Sequence, residues 1–212
     1  LNLAYQYCHE NDLVVNTEKT KQLAFGRRRE DVPALPDVSM ESQTKFLGMT
    51  IDNNLSWNNH VDTLSKKLNT CLYILKRVKS ASDDATTRIA YYALIESHLR
   101  YGLVVWGGTT AGNLNRILLL QKRAIRIMAG LGPRESCRKV FKTTNVLTII
   151  GLYIKEVILY VTIEQLQRGL DIHTHTTLVM HQTFTSLYIT LHHMRGNHPI
   201  WEGNFLTSYQ KI

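Results

Sequence analysis

The pattern of apolar and polar positions changes character once along this chain, near Trp57. Before it, apolar residues come in short, broken runs; after it, they recur every three or four residues as far as Gln167. A three-and-four period is one face of an α-helix. Val61, Leu64, Leu68, Cys71, Leu72, Leu75 and Val78 make such a stripe and predict a helix over Asn58 to Ser80. Ser82-Asp83-Asp84 is a helix start signal, because short polar side chains accept hydrogen bonds from the free amides of a first turn. The helix it opens runs from Ala85 to Arg100, with Ile89, Tyr92, Ala93 and Leu99 as candidate inward positions. Tyr101-Gly102 to Gly108 reads as an apolar, glycine-rich connector. Ala111 to Ala129 is a third helix with Leu114, Ile117, Leu118, Ile125 and Met128 inside, stopped by Gly130 and Gly132-Pro133. Arg134 to Thr143 is basic and suits a short helix. Thr148 to Gln167 is apolar on nearly every side, which predicts a buried helix.

The residues before Trp57 read differently. Leu3 to His9 ends a helix, Leu13-Val14-Val15 and Gln22 to Phe25 suit short strands, and residues 26–37 form a loop holding Gly26, Pro33 and Pro36. Val38 to Met40 is expected to pair with a strand over Lys45 to Ile51, in which Gly48 marks a bulge or a close backbone approach. Asp52-Asn53-Asn54 is a turn. The expected fold is α+β, mainly α: a small antiparallel sheet followed by a helical bundle. The expected division is 1–57, 58–168 and a poorly ordered tail at 169–212, where no hydrophobic period holds. A sheet this small needs a covering layer, from the helices or from a segment outside these residues.

Composition narrows the chemistry. The 212 residues are 44% hydrophobic, enough for a real core, and the net charge is +8. That balance favours polyanions, with nucleic acid first. Lys66 and Arg77 fall on nearly one outward face of their helix, with Lys67, Lys76 and Lys79 nearby; Arg116, Lys122, Arg123 and Arg126 make a basic side on the third. Such faces either track a phosphate backbone or are simply solvated. Cys8, Cys71 and Cys137 are isolated, so no disulfide framework is expected and a reducing, intracellular setting (nuclear or cytoplasmic) fits best. Six of the nine histidines lie between His173 and His198 without a cysteine at zinc-site spacing, so no metal site is expected. There is no phosphate-binding glycine loop, serine nucleophile motif or HExxH. Val146 to Ile163 is interrupted by Lys155 and Glu156, which favours a buried helix over a membrane span. Trp57 and Trp106 read as core anchors.

Several short motifs, in order, carry a resemblance. Lys45-Phe46-Leu47-Gly48, Ile51-Asp52, Leu55-Ser56-Trp57 and His60 are preceded by Asn11 to Thr20 and Leu23-Ala24-Phe25. They are followed by Tyr101-Gly102 with Trp106-Gly107, by Gln121 to Arg126, and by Ser136-Cys137-Arg138 with Phe141. Together they resemble the post-catalytic region of reverse transcriptases of non-LTR retrotransposons, the jockey-like group, over roughly residues 3 to 165. The resemblance implies an RNA-directed DNA polymerase of a mobile element, with residues 1–57 as the end of its palm and 58–168 as its thumb. It implies Mg²⁺ in the complete enzyme, where two metal ions activate the attacking hydroxyl and stabilise the leaving oxygens.

The chain begins with Leu1, after the point where that family carries its aromatic-Ala-Asp-Asp hairpin, so a fragment lacking the catalytic aspartates and the upstream palm and fingers is expected. Asp83-Asp84 is the one adjacent aspartate pair, and its setting between helices reads as a cap. By resemblance, Lys19 lies near the incoming nucleotide, where it would neutralise departing pyrophosphate; on residues alone it is a turn lysine. By resemblance, Phe46, Leu47 and Gly48 match the segment that holds the primer end. Lys66, Lys67, Arg77, Arg123 and Arg126 would then grip a primer–template backbone. The rival readings are a host-recruited helical interaction module and a remnant without function.

Overall fold

The structure is a computed structural model that describes residues 2–36 and 38–168. The expected tail at 169–212 and its histidines lie outside them. The chain divides into two compact units, Leu1–Lys67 and Leu68–Ile212, with the division inside one continuous helix. Mainly helical α+β architecture is what the structure has: among the described residues, eight α-helices and two small two-stranded sheets.

In the first unit, α1 (Asn2–Glu10) ends where Asp12 turns left-handed at φ 53°, and the Leu13 amide bonds the Cys8 carbonyl at 2.8 Å. This closure corrects the expected strand at Leu13 to Val15, which lies exposed and unpaired instead. Of the expected strand at Gln22 to Phe25, only β1 (Lys21–Gln22) forms, and it pairs in parallel with β2 (Ser39–Met40). The Gln22 side chain explains that choice. It donates to the Pro33 carbonyl and accepts from the Leu35 amide, folding the intervening loop back so that β2 arrives parallel. Val38 to Met40 therefore does not pair with the later strand.

That later strand is itself two. Gln43–Phe46 (β3) and Met49–Asp52 (β4) form an antiparallel hairpin, with Phe46 opposite Met49. Leu47 and Gly48 are its two loop residues, at φ 45° and 79°. Positive φ at both positions matches the twist of the flanking strands, as in a type I′ turn. Gly48 thus sits at a turn, not a bulge.

The second unit is built on α6 (Ala111–Ala129), which packs against α3 (Asp84–Tyr91), α7 (Arg138–Thr143) and α8 (Ile149–Arg168). Asp83 caps α3 by accepting from the Thr86 amide at 2.8 Å. A π turn at Tyr92–Glu96 carries α3 into α4 (Ser97–Arg100). Thr87, Tyr91, Ile95 and Leu99 are the buried residues of this run. A strict four-residue spacing outruns the 3.6-residue turn, and the extra residue of a π turn keeps the four on one side. Ile89, Tyr92 and Ala93 are correspondingly exposed, contrary to the expectation from an ideal period. At the far end of α6, Gly130 is left-handed at φ 64°; its amide bonds the Ile127 carbonyl and the Leu131 amide bonds that of Arg126, a Schellman closure. The expected full burial of the last helix holds only at its start. Ile149, Ile150 and Leu152 are in the core, whereas Leu159, Tyr160 and Ile163 are exposed.

A candidate nucleic-acid interface

In the first unit, the apolar tip of the hairpin is bare. Phe46 is 58% exposed and Leu47 68%. What makes the hairpin a rigid arm is Asp52 at its foot. The buried carboxylate accepts from the amides of Asn54, Ser56 and Trp57 and from the Ser56 hydroxyl, all at 3.0–3.1 Å. Burial pushes the Asp52 carboxyl up, but these bonds, led by the Ser56 amide, outweigh it and leave the group below its ordinary value. They hold Leu55 and Trp57 at φ 53° and 62°, left-handed conformations that few side chains tolerate. Trp57 is buried and meets His60 edge to face at 6.1 Å, and Asn59 donates to Gln43 of β3. Burial, then the Lys67 ammonium, press the His60 imidazole below its usual range. The residues Ile51 to His60 that carry much of the resemblance are thus the joint between hairpin and helix α2 (Asn58–Ala81).

Lys66 and Lys67 are exposed on the first half of α2. Lys19 is exposed in a turn whose backbone is fixed by the Asn16 side chain, which accepts the Lys19 amide hydrogen at 3.0 Å.

In the second unit, Arg77 is exposed on the last turns of α2. Arg123 and Arg126 sit three residues apart on α6 and therefore share a face. Arg123 is exposed. Arg126 is half-buried, and its Nε donates to the Glu135 carbonyl at 2.8 Å, so part of its guanidinium already braces the loop after α6. Positive charge is concentrated here. Residues 68–168 carry fifteen Lys and Arg against six Asp and Glu, whereas residues 1–67 carry eight against nine.

Asp83 and Asp84 do not fit a metal-holding role. One is the cap of α3 and the other pairs with Lys79. Among the described residues, no three His, Cys, Asp or Glu gather in a way that could hold a metal ion. Among the same residues, no helix is long and apolar enough to cross a membrane.

Sequence reasoning missed the most connected polar side chain in this unit. Gln121 is fully buried; its Nε2 donates to the Tyr91 hydroxyl and the Leu147 carbonyl, and its Oε1 accepts from the Ile149 amide. Burial drives the Tyr91 hydroxyl far above its ordinary value, more than the Gln121 amide can offset. The motif from Tyr101 to Gly107 is likewise a packing device. Gly102 is left-handed at φ 61°, the buried Trp106 donates Nε1 to the Tyr101 carbonyl at 2.9 Å, and a Cβ on Gly107 would fall 2.3 Å from the Tyr153 ring.

Comparison with known proteins bears on what these devices serve. The chain is 28% identical over 131 residues to the probable RNA-directed DNA polymerase from transposon BS of Drosophila melanogaster, covering 57% of this chain. It is 26% identical over 60% of its length to the RNA-directed DNA polymerase from mobile element jockey, and 22% over 55% to that of transposon X-element, both from the same fly. The chain is a sequence relative of non-LTR retrotransposon RNA-directed DNA polymerases. The matches span 14–15% of the length of these polymerases. No family profile and no solved structure matches the chain.

Proposed function

We propose that this chain is the part of a mobile-element reverse transcriptase that follows the catalytic aspartates, and that it grips the primer–template duplex while an upstream palm and fingers perform the chemistry. The observation that carries this reading is the concentration of positive charge in the helical unit of a chain related to such polymerases. Exposed Lys66, Lys67, Arg77 and Arg123, with the free part of Arg126, would contact phosphates without reading bases. The apolar hairpin tip at Phe46, Leu47 and Gly48 would press against the sugar or base face of the primer end. Lys19 would lie near the departing pyrophosphate. In this reading residues 1–57 close the palm, 58–168 are the thumb, Mg²⁺ belongs to residues upstream, and the setting is nuclear or cytoplasmic.

The test is to pair the chain with a matching upstream half and measure primer extension and primer–template affinity against salt. Lys66→Ala, Arg77→Ala and Arg123→Ala combined should flatten the salt dependence of log K by about 0.7–0.9 for each phosphate no longer neutralised. Arg126→Lys is added separately, because it spares the loop. Unchanged affinity and unchanged salt slope would remove the thumb role. The interaction-module alternative draws on the exposed Leu159, Tyr160 and Ile163 of α8. It expects an affinity for a protein partner that barely responds to salt.

A further inference from the structure

A second binding feature lies in the first unit, away from every residue assigned to the grip. The loop carrying Phe25 to Glu30 and the turn Asn53 to Leu55 enclose an open groove of about 510 Å³. Its walls combine an exposed aromatic face, Phe25, with an exposed aliphatic one, Leu55. Arg27 and Arg29 supply cationic donors, and Asn53 and Asn54 supply amides. The far wall is fixed: Asp52 accepts from the Asn54 amide, and the Asn54 side chain accepts from the Arg29 guanidinium. Arg29 is thereby held across the groove before any ligand arrives. Gly26, at φ 93° with nothing within 4 Å of where a Cβ would be, lets the loop turn beside Phe25 without filling the space.

A flat apolar face, amides able to both donate and accept, and a guanidinium side suit one chemical class. We propose that this groove binds a single unstacked nucleotide, with its base on Phe25, its base edge toward Asn53 and Asn54, and its phosphate toward Arg27 and Arg29. The same chemistry is offered by a free nucleoside monophosphate and by one residue of a single strand. Glu30, also on the rim, opposes the phosphate and sets the affinity lower than the arginines alone would give. A paired duplex keeps its bases stacked and cannot place one on Phe25. The site therefore stands or falls independently of the duplex grip.

The test uses the full chain and a thymidine octamer with one internal 2-aminopurine, whose fluorescence is quenched on stacking. Deoxythymidine monophosphate and a blunt duplex serve as competitors. Binding should quench the probe. Phe25→Ala should weaken it about tenfold, Phe25→Trp should retain it, and Glu30→Gln should tighten it. Competition by the monophosphate identifies a free-nucleotide site; competition only by unlabelled octamer identifies a single-strand site. Combined Lys66→Ala, Arg77→Ala and Arg123→Ala should leave the Phe25-dependent quenching in place whatever they do to duplex binding. Equal competition by duplex overturns the proposal, as does quenching that survives Phe25→Ala in a chain with unchanged circular dichroism.

Discussion

Replacing Gln121 by leucine removes one side chain and cuts three ties at once. The Ile149 amide loses its acceptor in the first turn of α8, at a residue with no exposure, and the Tyr91 hydroxyl loses its donor in an equally closed setting. The Leu147 carbonyl also loses a bond, but Leu147 is part-exposed and water can replace it. A buried polar group stripped of its partner costs about 1–3 kcal/mol. Two such groups give roughly 2–6 kcal/mol, offset by about 1–2 kcal/mol from the apolar surface that leucine buries. The net expectation is a loss of about 3 kcal/mol, read as a lower urea midpoint at unchanged slope in circular dichroism. Gln121→Glu sharpens the test. A neutral carboxylic acid can accept from the Ile149 amide and donate to the Leu147 carbonyl, whereas the carboxylate faces that carbonyl with no proton to give. Burial raises the folded pKa of such a group above its unfolded value, so the variant's stability should recover as pH falls from neutral toward 4. A Gln121→Leu protein within about 0.5 kcal/mol of the parent, a change typical of surface sites, would refute the view of Gln121 as the pin of three helices.

Two further perturbations follow from the same kind of accounting. Gly107→Ala forces a methyl group against the Tyr153 ring and the Leu103 carbonyl, the latter backbone that cannot step aside, and should cost about 1–3 kcal/mol in thermal melts. Tyr153→Ala should rescue it only in part. Asp52→Ala should strip hydrogen-exchange protection from the amides of Asn54, Ser56 and Trp57 while leaving those of α6 unchanged. Because the folded pKa of Asp52 lies below its unfolded value, its contribution is complete above the unfolded value of about 3.9 and fades as pH drops through the folded one; Asp52→Asn should lose that acid sensitivity.

The helices were legible because their cause is local. The stripe from Val61 to Leu75, the Asp83 cap and the Gly130 stop are readable from spacing and residue type alone. The sheets were not, because their causes lie elsewhere in the chain. Nothing in Leu47 announces a left-handed turn residue, and β2 runs parallel to β1 only because Gln22 pins a loop more than ten residues away. Inward positions were misread at Ile89 and Tyr92 because an ideal period was assumed across a π turn. The motifs that carried the resemblance proved most informative about architecture. Asp52, Trp57, Gly102, Trp106, Gly107 and Gln121 all hold the chain in shape. A buried glutamine beside Lys122 and Arg123 was the available clue, since a polar residue on an apolar stripe must find partners inside.

The π turn at Tyr92–Glu96 makes the number of residues in this helix part of the specification of the core. Deleting any one of the five would let the segment wind back to an ordinary α-helix, and everything beyond it would rotate by about 100°. Leu99 would swing out of the interior, and Arg100 would leave Glu156, which it meets at 2.7 Å. A copy shortened here by a single codon would keep its reading frame and nearly all its composition, yet lose the seam between this helix and α8.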